Sequence, residues 1–285
     1  MGFVAGADQT RDDISVAEGS VLFISAHIAP EHKNYGMYRP SIDPPPDFDL
    51  NRLIETAGRW TRKFFHPTII EAASHERVYP KSPDGLSAVV IGGSLAHVST
   101  ARGPLAPWQE ELIDFVATSI LEWNLGYLGL CGGGQIGICA LGGTVKPNPA
   151  GLGTLLENLR GNELVRTGEL LLTQEGRADP IFLGCPPRLA VQEDHGDYFA
   201  EVPPGMTVLA NSPDIPNQVL GWGDRVRLFQ PHPELSLSFM RRVLHKLSGR
   251  ADSPTEATRI QQLTHRLRET PAANDRIVTN FLAMI

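Results

Sequence analysis

The chain has 285 residues with 41% hydrophobic content, enough for one large domain or a domain with an appendage. A net charge of -7 argues against a nucleic-acid binder, which would carry a basic patch, and no apolar run approaches the ~18 residues of a membrane span. Three scattered cysteines, Cys131, Cys139 and Cys185, fit neither a disulfide framework nor a zinc motif. That points to the reducing cytoplasm, where a cysteine is free to act as a thiol. The opening Met-Gly-Phe-Val-Ala-Gly lacks the basic region of a secretory leader and the serine or threonine of a myristoylation signal.

In chain order, Val21 to Ser25 reads as a buried strand, and the proline run from Pro40 to Pro46 as a stiff loop. Residues 50–65 carry apolar positions at helical spacing: Leu53, Ile54, Ala57, Trp60 and Phe64. Ala88 to Ile91 is a short strand ending in Gly92-Gly93. Pro107-Trp-Gln-Glu-Glu then opens a helix, with proline in the first turn and acids near the positive end of its dipole. Trp108, Leu112, Phe115, Val116 and Ile120 line one face of it. A second strand runs up to Cys131. From 145 to 230 strands dominate, Val208-Leu-Ala and Val226 to Gln230 most clearly, with a tight turn at Gly223-Asp224. A helix is expected from Pro233 to about Leu247. Ser253-Pro254-Thr-Glu256 opens another as a capping box, and a last helix carries Ile277, Phe281 and Leu282. Alternation of buried strands with amphipathic helices predicts an α/β fold with a mostly parallel sheet.

The densest signal is Leu128-Gly-Leu-Cys131-Gly-Gly-Gly-Gln135. A thiolate nucleophile needs a lowered pKa and an approachable face. A sharp turn from strand to helix supplies both, because it lifts the side chain above the sheet and sets it at the positive end of the helix. Glycines must flank such a turn, where neighbouring Cβ atoms would clash, and backbone N–H groups after the nucleophile can hold an oxyanion. The bland alternative is a small core cysteine beside a tight turn.

A thiolate mechanism also needs a base and a group to orient it. Phe229-Gln-Pro-His232-Pro-Glu234 follows a strand, and its prolines fix the backbone around the histidine. Glu234 lies two residues on, on the same face of an extended segment, placed to accept from one imidazole nitrogen. Cys139 reads as core and Cys185 as a loop residue.

Together these residues resemble the class I glutamine amidotransferase family of the Cys-His-Glu type. Gly129-Leu-Cys131-Gly-Gly133-Gly-Gln135 meets its nucleophile segment, and Gln230-Pro-His232-Pro-Glu234 its base segment. Between them stand a strand phrase, Asp179-Pro-Ile-Phe182, then His195-Gly196-Asp197, and then Pro204-Gly-Met-Thr-Val-Leu209-Ala210. Gly92-Gly93 occupies the place of the family's oxyanion loop. The resemblance is strong over residues 86–245 and weak before and after.

The resemblance implies one domain over residues 1–285, a flavodoxin-like three-layer α/β sandwich with a mostly parallel central sheet. Residues 1–85 would supply edge elements and 250–285 C-terminal helices. It implies Cys131 as nucleophile, His232 as base and Glu234 as orienting carboxylate, with the N–H groups of Gly93 and Gly132 as the oxyanion hole. Gln135 and the segment His195, Gly196 and Asp197 would contact substrate. No metal or organic cofactor is expected. The implied substrate is glutamine or a γ-glutamyl compound, with ammonia passed to a separate acceptor (synthetase) enzyme or, alternatively, none in a stand-alone hydrolase. A non-catalytic regulatory module is the third reading. No nucleic acid or membrane partner is expected. Gly134 departs from the larger residue usual in the family, which predicts a roomier pocket floor, and Pro231 replaces an aromatic.

Overall fold

The computed structural model describes residues 20–26, 67–72, 77–94, 96–149, 164–249, 251, 253–270 and 274–285. The loop expected over 40–46 and the helix expected over 50–65 lie outside them. The β-branched and aliphatic runs of the first half form strands β1 (Ser20–Ser25), β2 (Pro67–Glu71) and β3 (Leu86–Ile91). Helix α1 (Pro107–Ala117) follows, with proline in its first turn, and continues as a π turn over Thr118–Glu122. Strand β4 (Gly126–Leu130) leads into helix α2 (Gly132–Ala140).

Strands then dominate, as their sequence predicts. They are β5 (Thr144–Pro147), β6 (Leu164–Leu172), β7 (Arg188–His195), β8 (Asp197–Glu201) and β9 (Met206–Asn211), with the short helix α3 (Gln174–Ala178) after β6. Strands β10 (Val219–Trp222) and β11 (Val226–Phe229) form a hairpin around Gly223, whose φ of 54° suits the tight turn. Helices α4 (Leu237–Ser248), α5 (Pro254–Arg266) and α6 (Asp275–Met284) follow. Ser253 caps α5 by accepting from the Glu256 N–H at 3.1 Å. One expectation is corrected. Asp179-Pro-Ile-Phe182 is not a strand but a 3-10 turn over Pro180–Phe182, because the Asp179 side chain accepts from the Ile181 N–H and Pro180 fixes the first helical position.

Nine strands form one sheet in the order β2-β1-β3-β4-β11-β10-β9-β6-β7. The run from β2 to β11 pairs in parallel, and from β11 to β7 each pairing is antiparallel. Strands of the parallel half are apolar on both faces. Val21, Phe23, Ala88, Val90, Leu128 and Leu130 pack on one side with Ile277, Phe281 and Leu282 of α6. Leu22, Ile24, Val89, Ile91 and Tyr127 pack on the other with Leu112, Phe115 and Val116 of α1 and with Ile136 and Ile138 of α2. Helices on both faces of one sheet make the three layers, and each fully buried aliphatic side chain contributes about 1.5–3 kcal/mol. A smaller cluster joins α4, α5 and Val165 of β6. No helix among the described residues is long and apolar enough to cross a membrane.

Candidate active site

Cys131 makes the whole turn between β4 and α2. Its φ of 50° and ψ of -108° are unusual for a residue with a Cβ, and such conformations cost on the order of 1–3 kcal/mol. Its N–H donates to the Phe229 carbonyl at 2.7 Å, which ties the turn to the end of β11. Close approach explains the glycines after it. A Cβ at Gly132 would meet Ser94, with its backbone nitrogen 2.6 Å away, and one at Gly133 would strike the Ile91 carbonyl. Beneath the turn the buried Tyr127 hydroxyl donates to the Gly133 carbonyl at 2.7 Å.

The expectation of extra room at Gly134 is corrected by the same geometry. A Cβ there would stand 2.6 Å from the Phe229 carbonyl oxygen and 2.8 Å from Cζ of Phe199. Neighbouring backbone and an aromatic ring already fill the space, so Gly134 marks tight packing of α2 on β11.

His232 follows β11 and is reached from both sides. Its backbone N–H donates to the Gln192 carbonyl of β7 at 2.8 Å, and its Nδ1 lies 2.6 Å from Glu234 Oε1. Both side chains are buried. Burial alone would lower the imidazole pKa. The Glu234 carboxylate, the neighbouring Cys131 and hydrogen bonds to both side chains outweigh it and raise that pKa well above 6.5. An imidazole with that preference is suited to hold the proton of a thiol. The structure thus brings Cys131, His232 and Glu234 together. The Cys131 Sγ also lies 3.6 Å from the Asp194 carbonyl and 3.9 Å from Gln230 Nε2.

Gly93 and Gly132 reach the same place. Gly92 accepts from the Gly133 N–H at 3.0 Å, which holds the glycine loop over the start of α2. The N–H of Gly132, the first of the helix, has no acceptor within the helix. Gly93 faces the His232 ring, where a Cβ would fall 2.9 Å from Cε1.

The remaining expected residues form the adjoining wall. The buried Gln135 amide lies 3.5 Å from the Asp197 carbonyl and 3.3 Å from Gln230 Oε1. His195 Nδ1 sits 2.9 Å from the Asp197 carbonyl, so it carries the ring proton and Nε2 is left as an acceptor. Burial is the main reason its pKa falls to about 4. Kept neutral and without a carboxylate partner of its own among the described residues, His195 lacks the features that suit His232 to be the base. Burial would raise the Asp197 carboxyl, but His97 and Arg102 hold it below the usual carboxylate value. Cys139 and Cys185 are half-buried against the two cores, and burial raises the Cys139 thiol to about 11.

Three contributors were not singled out from the sequence. Arg102 reaches both Asp197 and the Gly196 carbonyl, Asn148 donates to the His195 carbonyl at 2.8 Å, and Gln230 lies between Cys131 and Gln135. Gln230 stood inside the base segment and was the one with a visible signal.

The sheet order, the strand-to-helix cysteine turn and the carboxylate-paired histidine together resemble the arrangement of a class I glutamine amidotransferase-like α/β protein. Comparison with known proteins agrees. The chain is 28% identical over 212 residues to a glutamine amidotransferase-like protein of Schizosaccharomyces pombe, a match covering 73% of this chain and 76% of that one. It is also 28% identical over 203 residues to a glutamine-hydrolysing GMP synthase of Thermomicrobium roseum, covering 69% of this chain and 33% of that protein. The chain therefore spans about a third of the length of that synthase. Among solved structures, a glutamine amidotransferase from Thermotoga maritima superposes with a TM-score of 0.60 at 17% identity, covering 94% of this chain and 98% of that one. One from Methylobacillus flagellatus gives 0.61 at 18%, covering 94% of each. No family model matches the chain.

Proposed function

We propose that the chain is a single glutamine amidotransferase-like domain that hydrolyses the side-chain amide of glutamine and passes the ammonia to an acceptor enzyme. The observation that carries this reading is the Cys131 turn held against the His232–Glu234 pair, with Nδ1 2.6 Å from the carboxylate. His232 takes the thiol proton, and Cys131 Sγ adds to the amide carbon. The Gly93 and Gly132 N–H groups receive the oxyanion. Collapse of the adduct breaks the C–N bond, His232 delivers its proton to the leaving nitrogen, and ammonia departs from a γ-glutamyl thioester. Water, deprotonated by the same imidazole, then attacks the thioester. Its collapse returns the proton to sulfur and frees glutamate. Glu234 holds the ring in orientation throughout. The sequence similarity to a glutamine-hydrolysing GMP synthase supports glutamine as the substrate and a synthetase as the acceptor.

The test measures glutamate and ammonia released from glutamine and from a panel of γ-glutamyl amides and peptides, with and without an acceptor enzyme and its substrate. Slow glutamine hydrolysis by the chain alone, accelerated about tenfold or more by the acceptor, is expected; that is ~1.4 kcal/mol off the barrier. Rapid cleavage of a γ-glutamyl peptide with glutamine ignored would replace this reading with that of a stand-alone hydrolase.

A further inference from the structure

The turn from β7 to β8 is pinned at each of its carbonyls. The His195 carbonyl accepts from the Asn148 side chain at 2.8 Å, and the Gly196 carbonyl from the Asn148 N–H at 2.8 Å and from Arg102 Nη2 at 2.6 Å. The Asp197 carbonyl faces His195 Nδ1 at 2.9 Å and Gln135 Nε2 at 3.5 Å. Arg102 also takes the Asp197 carboxylate, Nε to Oδ1 at 2.6 Å. That carboxylate is 2% exposed, and its second oxygen meets His97 Nδ1 at 3.3 Å.

His97 and Arg102 lie on the chain that leaves the glycine loop. The Gln109 side chain of α1 secures that stretch by donating to the His97 carbonyl at 2.9 Å. One guanidinium fork therefore ties the 3-10 turn Thr100–Arg102, on the segment that follows the glycine loop, to the turn that adjoins Cys131 through the Asp194 carbonyl. A planar fork with a carboxylate on one arm and a carbonyl on the other fixes both distance and angle, which a lysine ammonium does not.

We propose that Arg102 is a positioning residue that locks the glycine loop to the His195–Asp197 turn, so that the oxyanion donors and the substrate wall keep one fixed separation. The inference rests on the proposed amide hydrolysis and deepens it. Arg102 acts on the turn through the Asp197 carboxylate and the Gly196 carbonyl, so its loss should leave the thiol's own reactivity intact. What it should disturb is the fit of a ligand that must reach Cys131 and the wall together. A displacement of about 1 Å between such parts is enough to cost up to ~100-fold in rate.

The experiment compares the intact chain with Arg102→Gln and Arg102→Lys, after checking that each melts cooperatively. Cys131 is alkylated with iodoacetamide, which needs only the thiol and its base, and with a glutamine-shaped diazoketone, which must also fit the wall. Arg102→Gln is expected to slow the diazoketone at least about tenfold while changing iodoacetamide less than about twofold, with Arg102→Lys between. An equal fall with both reagents would make Arg102 a support of the cysteine turn and overturn the proposal, as would no fall with either. If the unaltered chain reacts with iodoacetamide but ignores the diazoketone, the glutamine reading fails. Amide exchange then decides the lock: faster exchange at both 96–99 and 195–198 in Arg102→Gln, with 188–192 unchanged, upholds it. Unchanged exchange at either segment overturns it.

Discussion

Gly93 lies face to face with the imidazole of His232: a Cβ on the glycine would sit 2.9 Å from the ring's Cε1. The glycine is therefore required to leave room for the imidazole, besides the oxyanion role proposed for its N–H. Gly93→Ala should push the ring away from Cys131 and lower turnover by an order of magnitude or more, with little change in melting temperature because the loop is only partly buried. Equal losses in turnover and stability would show that the glycine serves the fold instead.

Gly134 is expected to behave in the opposite way. The obstruction there includes the Phe229 carbonyl, which belongs to a paired strand and does not swing aside. Gly134→Ala should destabilise the protein by about 1–3 kcal/mol, read from the urea midpoint. A neutral result would mean that α2 shifts freely on β11.

Strain at the nucleophile predicts a stability gain on its removal. Cys131→Ala and Cys131→Gly should both abolish turnover. Glycine should be the more stable by about 1 kcal/mol, since relief of a positive φ outweighs the extra freedom it gives the unfolded chain. Chemical denaturation of the two variants side by side measures the difference.

His232→Ala should remove turnover. Glu234→Gln should cost roughly a hundredfold less, because an orienting residue is less damaging to lose than the base. The same substitution should lower the His232 pKa, visible in the ring proton shifts, since the Glu234 charge is the largest influence holding it up. A pKa left in place would assign that role to another group.

The two buried histidines give stability opposite slopes with pH. His195 titrates near 4 when folded and near 6.5 when unfolded. As pH falls through this window the unfolded chain takes up a proton that the folded chain refuses. Stability is lost with acid, by about 3 kcal/mol in all. His232 is raised, so its stabilisation is complete below pH 6.5 and disappears as pH climbs through its folded pKa. Unfolding free energies from pH 4 to 9 should flatten on the acid side in His195→Gln and on the alkaline side in His232→Ala.

Local chemistry made the centre of the site legible. The glycines around Cys131, the prolines around His232 and the two-residue step to Glu234 each constrain backbone within a few positions, and a linear sequence records that directly. Arg102 illustrates what was lost: 95 residues separate it from Asp197, and in Ser-Thr-Ala-Arg-Gly-Pro it reads as a solvated loop charge. The phrase at Asp179 is a strand only by the family resemblance, while its own side-chain cap and proline decide for a turn. Gly134 was misjudged because the atoms that crowd it come from β8 and from the end of β11.

Strands β4 and β11 run side by side in parallel with Leu130 opposite Phe229, so the chain leaves both at the same edge, on neighbouring tracks about 4.8 Å apart. Cys131 is the first residue off one track, and His232 is the third off the other. Their separation is thus a lattice constant of the sheet. A slip of one residue between the tracks would shift one partner by about 3.3 Å and turn side chains to the wrong face. Lengthening an outer loop of the antiparallel half alters neither track, which makes those loops the natural ground for remodelling substrate choice without retuning the chemistry.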